Sequence, residues 1–216
     1  MTKQLPVLIL IILCSFHSGA QNFRASEIAF FGGKSFTNFL FRAEQENQGI
    51  DYHFADGFNF GMNYYFSWND RLSVRGEAIV HRAGAQATYG GNAASWQLNY
   101  TGVGAGYLFA FLPEGQSLKV KMEAGLNLGF DYLISAYQTV NSIRYDLKEE
   151  SAFKNINLRT GPMMRLRYNP LQKLYIGLEY RFDFGLLQIE DADASTGQKT
   201  NNYGHMAQAF VSFKIF

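Results

Sequence analysis

The sequence predicts an all-β protein: a transmembrane antiparallel up-and-down β-barrel of about eight strands, with short periplasmic turns and long extracellular loops. Three observations predict it. Aromatic residues make up 16% of the 216-residue chain and charged residues only 17%, an unusual balance for a domain that lives in water. Mean hydropathy is nevertheless −0.14, too low for a bundle of apolar helices. The apolar residues recur instead with period two, which places one residue class on each face of a strand.

The first element is an export signal. Lys3 gives a positive start, Leu5 to Leu13 an apolar core, and Ser18-Gly19-Ala20 a small-residue cleavage site before Gln21. The run is shorter than the roughly 20 apolar residues a membrane helix needs. A lipidated Cys14 is the rival reading, opposed by the bulky Leu13 before it. The expected division is a signal peptide over 1–20 and a barrel domain over 21–216. Removal of 1–20 takes away Lys3 and the single cysteine, leaving 18 basic against 18 acidic residues. A neutral chain has no basic patch for nucleic acid.

The strands follow in order. Segment 27–42 is apolar on both faces and has no readable phase. In 58–66, Phe58, Phe60, Met62, Tyr64 and Phe66 alternate with Asn59, Gly61, Asn63 and Tyr65. In 72–81, Leu72, Val74, Ala78 and Val80 oppose Ser73, Arg75, Glu77 and His81. In 97–111 the odd residues from Val103 to Phe111 are apolar and Gly102, Gly104 and Gly106 lie opposite. Segments 118–132, 155–168, 174–186 and 207–215 repeat the pattern. The third of these sets Leu174, Ile176, Leu178, Tyr180, Phe182, Phe184 and Leu186 against Glu179, Arg181 and Asp183. Pro162 interrupts 155–168, where it removes a ladder donor.

Turn formers at 67–70, 112–117 and 169–172 read as short connections. Polar stretches at about 43–55, 84–95, 137–153 and 188–203 read as long loops. This is the plan of an outer-membrane barrel. Alternation alone does not say which face is outward, and a soluble lipocalin-like barrel would place its apolar face inside. The Phe, Leu and Tyr load is too large for an eight-stranded interior, so the apolar face is expected to meet lipid. The charged face then forms a lumen network of Arg75, Glu77, Lys119, Lys121, Glu123, Asp131, Arg159, Arg165, Arg167, Glu179, Arg181 and Asp183. Mixed signs at close quarters favour mutual pairing, since a lone buried charge is costly. Trp68, Phe66, Phe111 and Tyr168 are expected at the periplasmic rim, and Trp96, Tyr132 and Phe184 at the outer one.

The stretch Gly57-Phe58-Asn59-Phe60-Gly61-Met62, Asp70-Arg71-Leu72-Ser73-Val74-Arg75-Gly76-Glu77 and Gly84-Ala85 resembles the second hairpin of PorT-like outer-membrane β-barrel proteins. Gly32 to Phe36, Gly125-Leu126-Asn127 and the final Phe216 are similar too. The likeness spans the chain beyond the signal, and its motifs are structural. It implies a small barrel in the outer membrane of a Gram-negative cell. Some members of that wider family are implicated in protein secretion. One departure stands at the end: Lys214 and Ser212, in phase with Phe216, are polar, whereas Phe213 and Ile215 carry the apolar phase.

Enzymatic chemistry has little support. His53, His81 and His205, with Asp51, Asp56, Glu190, Asp191, Asp193 and Ser95, are the available catalytic groups, and no nucleophile motif accompanies them. The acidic run 190–193 lacks a glycine-spaced calcium pattern, and the 102–106 glycine string is followed by no helix. No cofactor and no metal are expected. An eight-stranded lumen crowded with charge argues against a general porin. The expectation is a structural or interaction protein, serving envelope integrity, adhesion or an export complex. Outer-membrane lipid, and other envelope or secretion proteins, are its expected partners; a small pore or transport component is the alternative.

Overall fold

The computed structural model describes residues 25–42, 51–89, 91–113, 119–189 and 199–215. The expected signal segment, the acidic run 190–193 and Phe216 lie outside those residues. The strands are β1 (Ala25–Arg42), β2 (Asp51–Ser67), β3 (Leu72–Tyr89), β4 (Asn92–Leu112), β5 (Val120–Val140), β6 (Ile143–Asp146), β7 (Ile156–Leu171), β8 (Leu174–Gly185) and β9 (Lys199–Lys214). Eight are long, and every pairing is antiparallel. Each long strand pairs with the next along the chain, and β1 pairs with β9 from Glu27↔Lys214 to Arg42↔Lys199. The eight long strands therefore close into a cylinder, with no unpaired edge strand among them. The remaining strand, β6, folds back on β5 as a hairpin. Its turn residues Asn141 and Ser142 have φ of 49° and 72°, the two positive values a type I′ turn needs.

Alternation sets the two faces, and the apolar one is outside. Leu126, Leu128, Leu178, Met164, Phe60 and Val103 are among the most exposed apolar side chains. Their strand neighbours Asn127, Glu179, Arg165 and Asn59 are buried. The first strand also has a phase: Glu27, Ala29, Phe31, Ser35, Thr37 and Phe39 are buried, whereas Phe30, Phe36 and Leu40 are exposed. Its inward face mixes apolar Ala29, Phe31 and Phe39 with polar Glu27, Ser35 and Thr37, which is why no clean alternation marks it.

The strands run longer than the sequence suggests. A tilted span takes about 9–11 residues, and β4 and β5 have 21 each. Within 84–95, expected to be a long loop, residues 84–89 end β3 and residues 92–95 begin β4, paired without a break from Gly84↔Gln97 to Tyr89↔Asn92. Residues 51–55 and 199–203 likewise belong to strands. Alternating Gln86, Thr88, Ser95 and Gln97 resemble loop polarity because the outer face turns polar where the barrel wall continues beyond the apolar belt.

That extension carries its own core. Phe39, Ala83, Ala85, Leu98, Tyr100, Leu133 and Ala136 line the inside of the wall, and Leu147, Phe153 and Ile189 fold in from the connections to cap it. Backbone bonds fix the cap: Leu147 N–H donates to Ala136 O, Lys154 N–H to Ile189 O, and Ile189 N–H to Thr200 O. Trp96 belongs here and not to an outer girdle. Its ring packs against Phe39 (6.0 Å) and Tyr52 (6.2 Å), because β4 continues to Asn92 and its even residues face inward.

Pro162 is accommodated by a gap in one ladder. Pairing of β7 with β8 steps from Thr160↔Phe184 to Met163↔Arg181, while Pro162 still faces Leu126 of β5. Gly161 allows the close approach there: a Cβ on it would stand 1.8 Å from Phe182 O. Gly161→Val is expected to abolish barrel closure, seen as complete loss of the mobility difference between unboiled and boiled protein in gels.

Candidate functional site

The site with most chemistry is the filled lumen. Inward positions alternate along every strand, so charges on β3, β5, β7 and β8 converge from opposite walls. Glu77 of β3 is the hub. It accepts from Arg159 Nη2 (2.6 Å) and Arg181 Nη1 (2.6 Å), and Arg75 Nη2 lies 3.3 Å away. Arg75 reaches across the barrel to Glu179 Oε1 of β8 (2.6 Å), which also accepts from Gln208 Nε2 (2.8 Å). Arg159 Nε pairs with Asp131 (3.1 Å) and its Nη1 with Asp183 (3.4 Å); Arg181 Nε meets Asp183 at 3.2 Å. Asn127 donates to the other oxygen of Asp183 (2.7 Å). His81 Nε2 stands 3.4 Å from Asp131, and its ring stacks on Tyr100.

A second cluster lies toward the short turns. Arg165 Nη2 donates to Glu27 Oε1 (2.7 Å), and Arg167 donates to the other Glu27 oxygen. Glu123 lies beside Arg165 (3.5 Å), Arg167 (3.9 Å) and Lys121 Nζ (2.8 Å). Aromatic faces cover the guanidiniums: Arg165 sits 4.0 Å from the Tyr65 ring and 4.2 Å from Phe210, and Arg167 4.6 Å from Tyr175. Desolvated cations over rings gain energy from the ring quadrupole.

Eleven of the twelve residues read from the sequence are therefore buried in this lumen. Lys119 is the correction. It is exposed and precedes Val120, the first residue of β5, so its side chain leaves the rim into solvent. Glu27 is the residue that sequence reasoning missed. Its strand carries apolar side chains on both faces, and the available signal was that Glu27 is the one carboxylate between Ser26 and Arg42. Exchanging Lys119 for Glu27 turns an unequal set into a balanced one. Among the described buried residues, Arg75, Lys121, Arg159, Arg165, Arg167 and Arg181 face Glu27, Glu77, Glu123, Asp131, Glu179 and Asp183. Neutrality without counting His81 is what a low-dielectric interior requires.

Apolar side chains fill the space left between charges. Phe31, Ile79, Leu108, Met163, Met206 and Phe210 form a buried cluster with Tyr65. Between His81, Arg159, Asp183, Asn157 and Asn202 the free volume is ≈ 20 Å³, about one water.

The three histidines do not form one centre. His81 is inside, its Nε2 3.4 Å from Asp131. His205 lies on the outer face against Phe182 (5.1 Å), Phe54 (5.8 Å) and Tyr180, whose hydroxyl meets Nδ1. His53 is exposed on β2. Ser95 sits in a ladder opposite Gln86 and Thr139.

No family model matches the chain, and no curated protein matches it. Solved structures do. The outer membrane protein OprG from Pseudomonas aeruginosa is 9% identical over 90% of this chain and 98% of its own, with a TM-score of 0.55. Neisserial surface protein A is 13% identical, with 86% and 96% covered and a TM-score of 0.48. A major outer membrane protein from Thermus thermophilus is 11% identical, with 87% and 99% covered and a TM-score of 0.48. At such identities the likeness is one of architecture: the chain has the closed eight-stranded antiparallel up-and-down barrel fold of small outer-membrane proteins.

Proposed function

We propose that the protein is a non-enzymatic outer-membrane barrel with a plugged lumen, exported by its 1–20 signal and working as a structural or interaction protein. The observation that carries this reading is the inverted barrel: an apolar exterior around a charge-balanced, packed interior. Such an exterior is stable against acyl chains and a liability in water. Such an interior staples opposite walls together and leaves no water-filled path. Rigid anchors of this kind present their work at the ends of the strands, where a partner in the envelope or in an export complex would meet the loop-end cap or the short-turn rim. The resemblance to PorT-like barrels agrees with that assignment.

Two measurements test it together. The full chain is expected in the outer-membrane fraction with a gel mobility that shifts on boiling, and purified protein is expected to give no discrete conductance steps in planar bilayers. Steady ohmic steps from the unmodified barrel would sink the plugged reading. A soluble periplasmic chain without a shift would sink the membrane reading.

A further inference from the structure

We propose that a groove at the loop-end rim is a binding site for the phosphoryl headgroup of a membrane lipid. The proposal rests on the membrane reading above. The groove has a volume of ≈ 520 Å³ and is lined by Lys148, Ser151, Phe153, Lys154, Asn155, Ile156 and Leu187. Its two charged lining residues are both lysines. Glu149 and Glu150 are exposed nearby but do not line it.

Position gives the groove its meaning. Lys148 Nζ folds against the outer wall of β5, donating to Leu133 O (3.0 Å) and Ile134 O (2.7 Å), with the Tyr132 ring 5.5 Å away. Those carbonyls stand where the β4–β5 register shifts, between Asn99 and Tyr100 opposite Ser135 and Leu133. An ammonium has three donors, so one proton of Lys148 remains for a ligand. Lys154 is exposed beside it. Ser151 has a φ of 56°, a conformation a non-glycine residue adopts at a cost and one that concentrates at ligand sites. Its backbone N–H closes a turn on Lys148 O, tying the serine to the first lysine.

The apolar side of the groove continues the lipid-facing belt. Ile156 and Leu187 are exposed, and Ile156 begins the outward run of β7 that goes on through Met164, Leu166 and Tyr168. One site thus meets cations on its polar side and acyl-facing residues on the other, which is the chemistry of a lipid phosphate and not of a free ion. Juxtamembrane lysines attract anionic headgroups in this way.

The test titrates the folded full chain in neutral detergent with dihexanoyl phosphatidic acid, dihexanoyl phosphatidylcholine and inorganic phosphate, with binding read by calorimetry. Saturable binding of the phosphatidic acid is expected, with the choline lipid and inorganic phosphate much weaker. Lys154→Gln is expected to weaken binding about five-fold, and Lys148→Gln/Lys154→Gln further, at about five-fold per lysine. Lys154→Gln keeps the wild-type gel shift, because its side chain is exposed. Equal affinity for both lipids, or unchanged affinity in Lys154→Gln, overturns the site. Inorganic phosphate binding as well as the lipid overturns the lipid source. Failure of wild type to show a gel shift is a failure of the membrane-barrel reading instead.

Discussion

Glu77→Ala is expected to cost about 3–5 kcal/mol of stability, the range found when one member of a buried ion pair is removed. Arg75, Arg159 and Arg181 all point at this carboxylate. Without it, three buried guanidiniums face one another inside the lumen without the carboxylate they share. Asp183 and Glu179 hold some of that charge, but neither lies between the three. Urea titration of the barrel refolded into lipid vesicles measures the effect as a lower unfolding midpoint. Lys119→Ala supplies the contrast: an exposed rim lysine whose loss leaves the midpoint where it was. A Glu77→Ala midpoint equal to wild type would mean that the arginines are solvated and the lumen is wet.

Leu178→Arg has the second-largest expected effect, about 2–4 kcal/mol, the cost of a cation on the lipid face of a barrel near the bilayer midplane. Leu178 is 61% exposed, and its ladder neighbours Leu166 and Ala209 are apolar on the same face. The same vesicle titration reports it. In a soluble barrel, a long cation at so exposed a position would be harmless. Unchanged stability in Leu178→Arg therefore removes the membrane and not just one contact.

Much of this architecture was legible in the sequence because two environments meet at every strand. Where one face is charged and the other apolar, as at Glu179 between Leu178 and Tyr180, period two gives the phase outright. Alternation fails where apolar residues fall on both faces and the inward one is mixed. Segment 27–42 is such a case: Phe31 and Ala29 pack inside, Phe30 and Phe36 outside. Glu27 was lost with the phase of its strand. Lys119 was admitted for the opposite reason, since its parity is right but the strand has not yet begun. Strand ends are set by where the ladder stops, and side-chain type does not report that. Trp96 shows the same limit. An aromatic ring suggests the membrane interface, yet the wall continues past that height, and an inward tryptophan there belongs to a small core of soluble character.

The rim groove is invisible to periodicity. Lys148, Ser151 and Lys154 lie in a connection without alternation, and only the folding of that connection onto β5, β7 and the segment after β8 brings them beside Leu187.

Closure of the cylinder joins the beginning of the chain to its end, since β1 lies against β9 along its length. The bridge from Glu27 to Arg165 and Arg167 spans sequence separations of 138 and 140 residues. A partly synthesised or partly inserted chain has neither the seam nor the bridge, and it carries unmatched charge toward its axis. Assembly therefore has no comfortable halfway house: loop-closure entropy is paid before the distant contacts return it. Folding should be slow and all-or-none, and the finished barrel correspondingly slow to come apart.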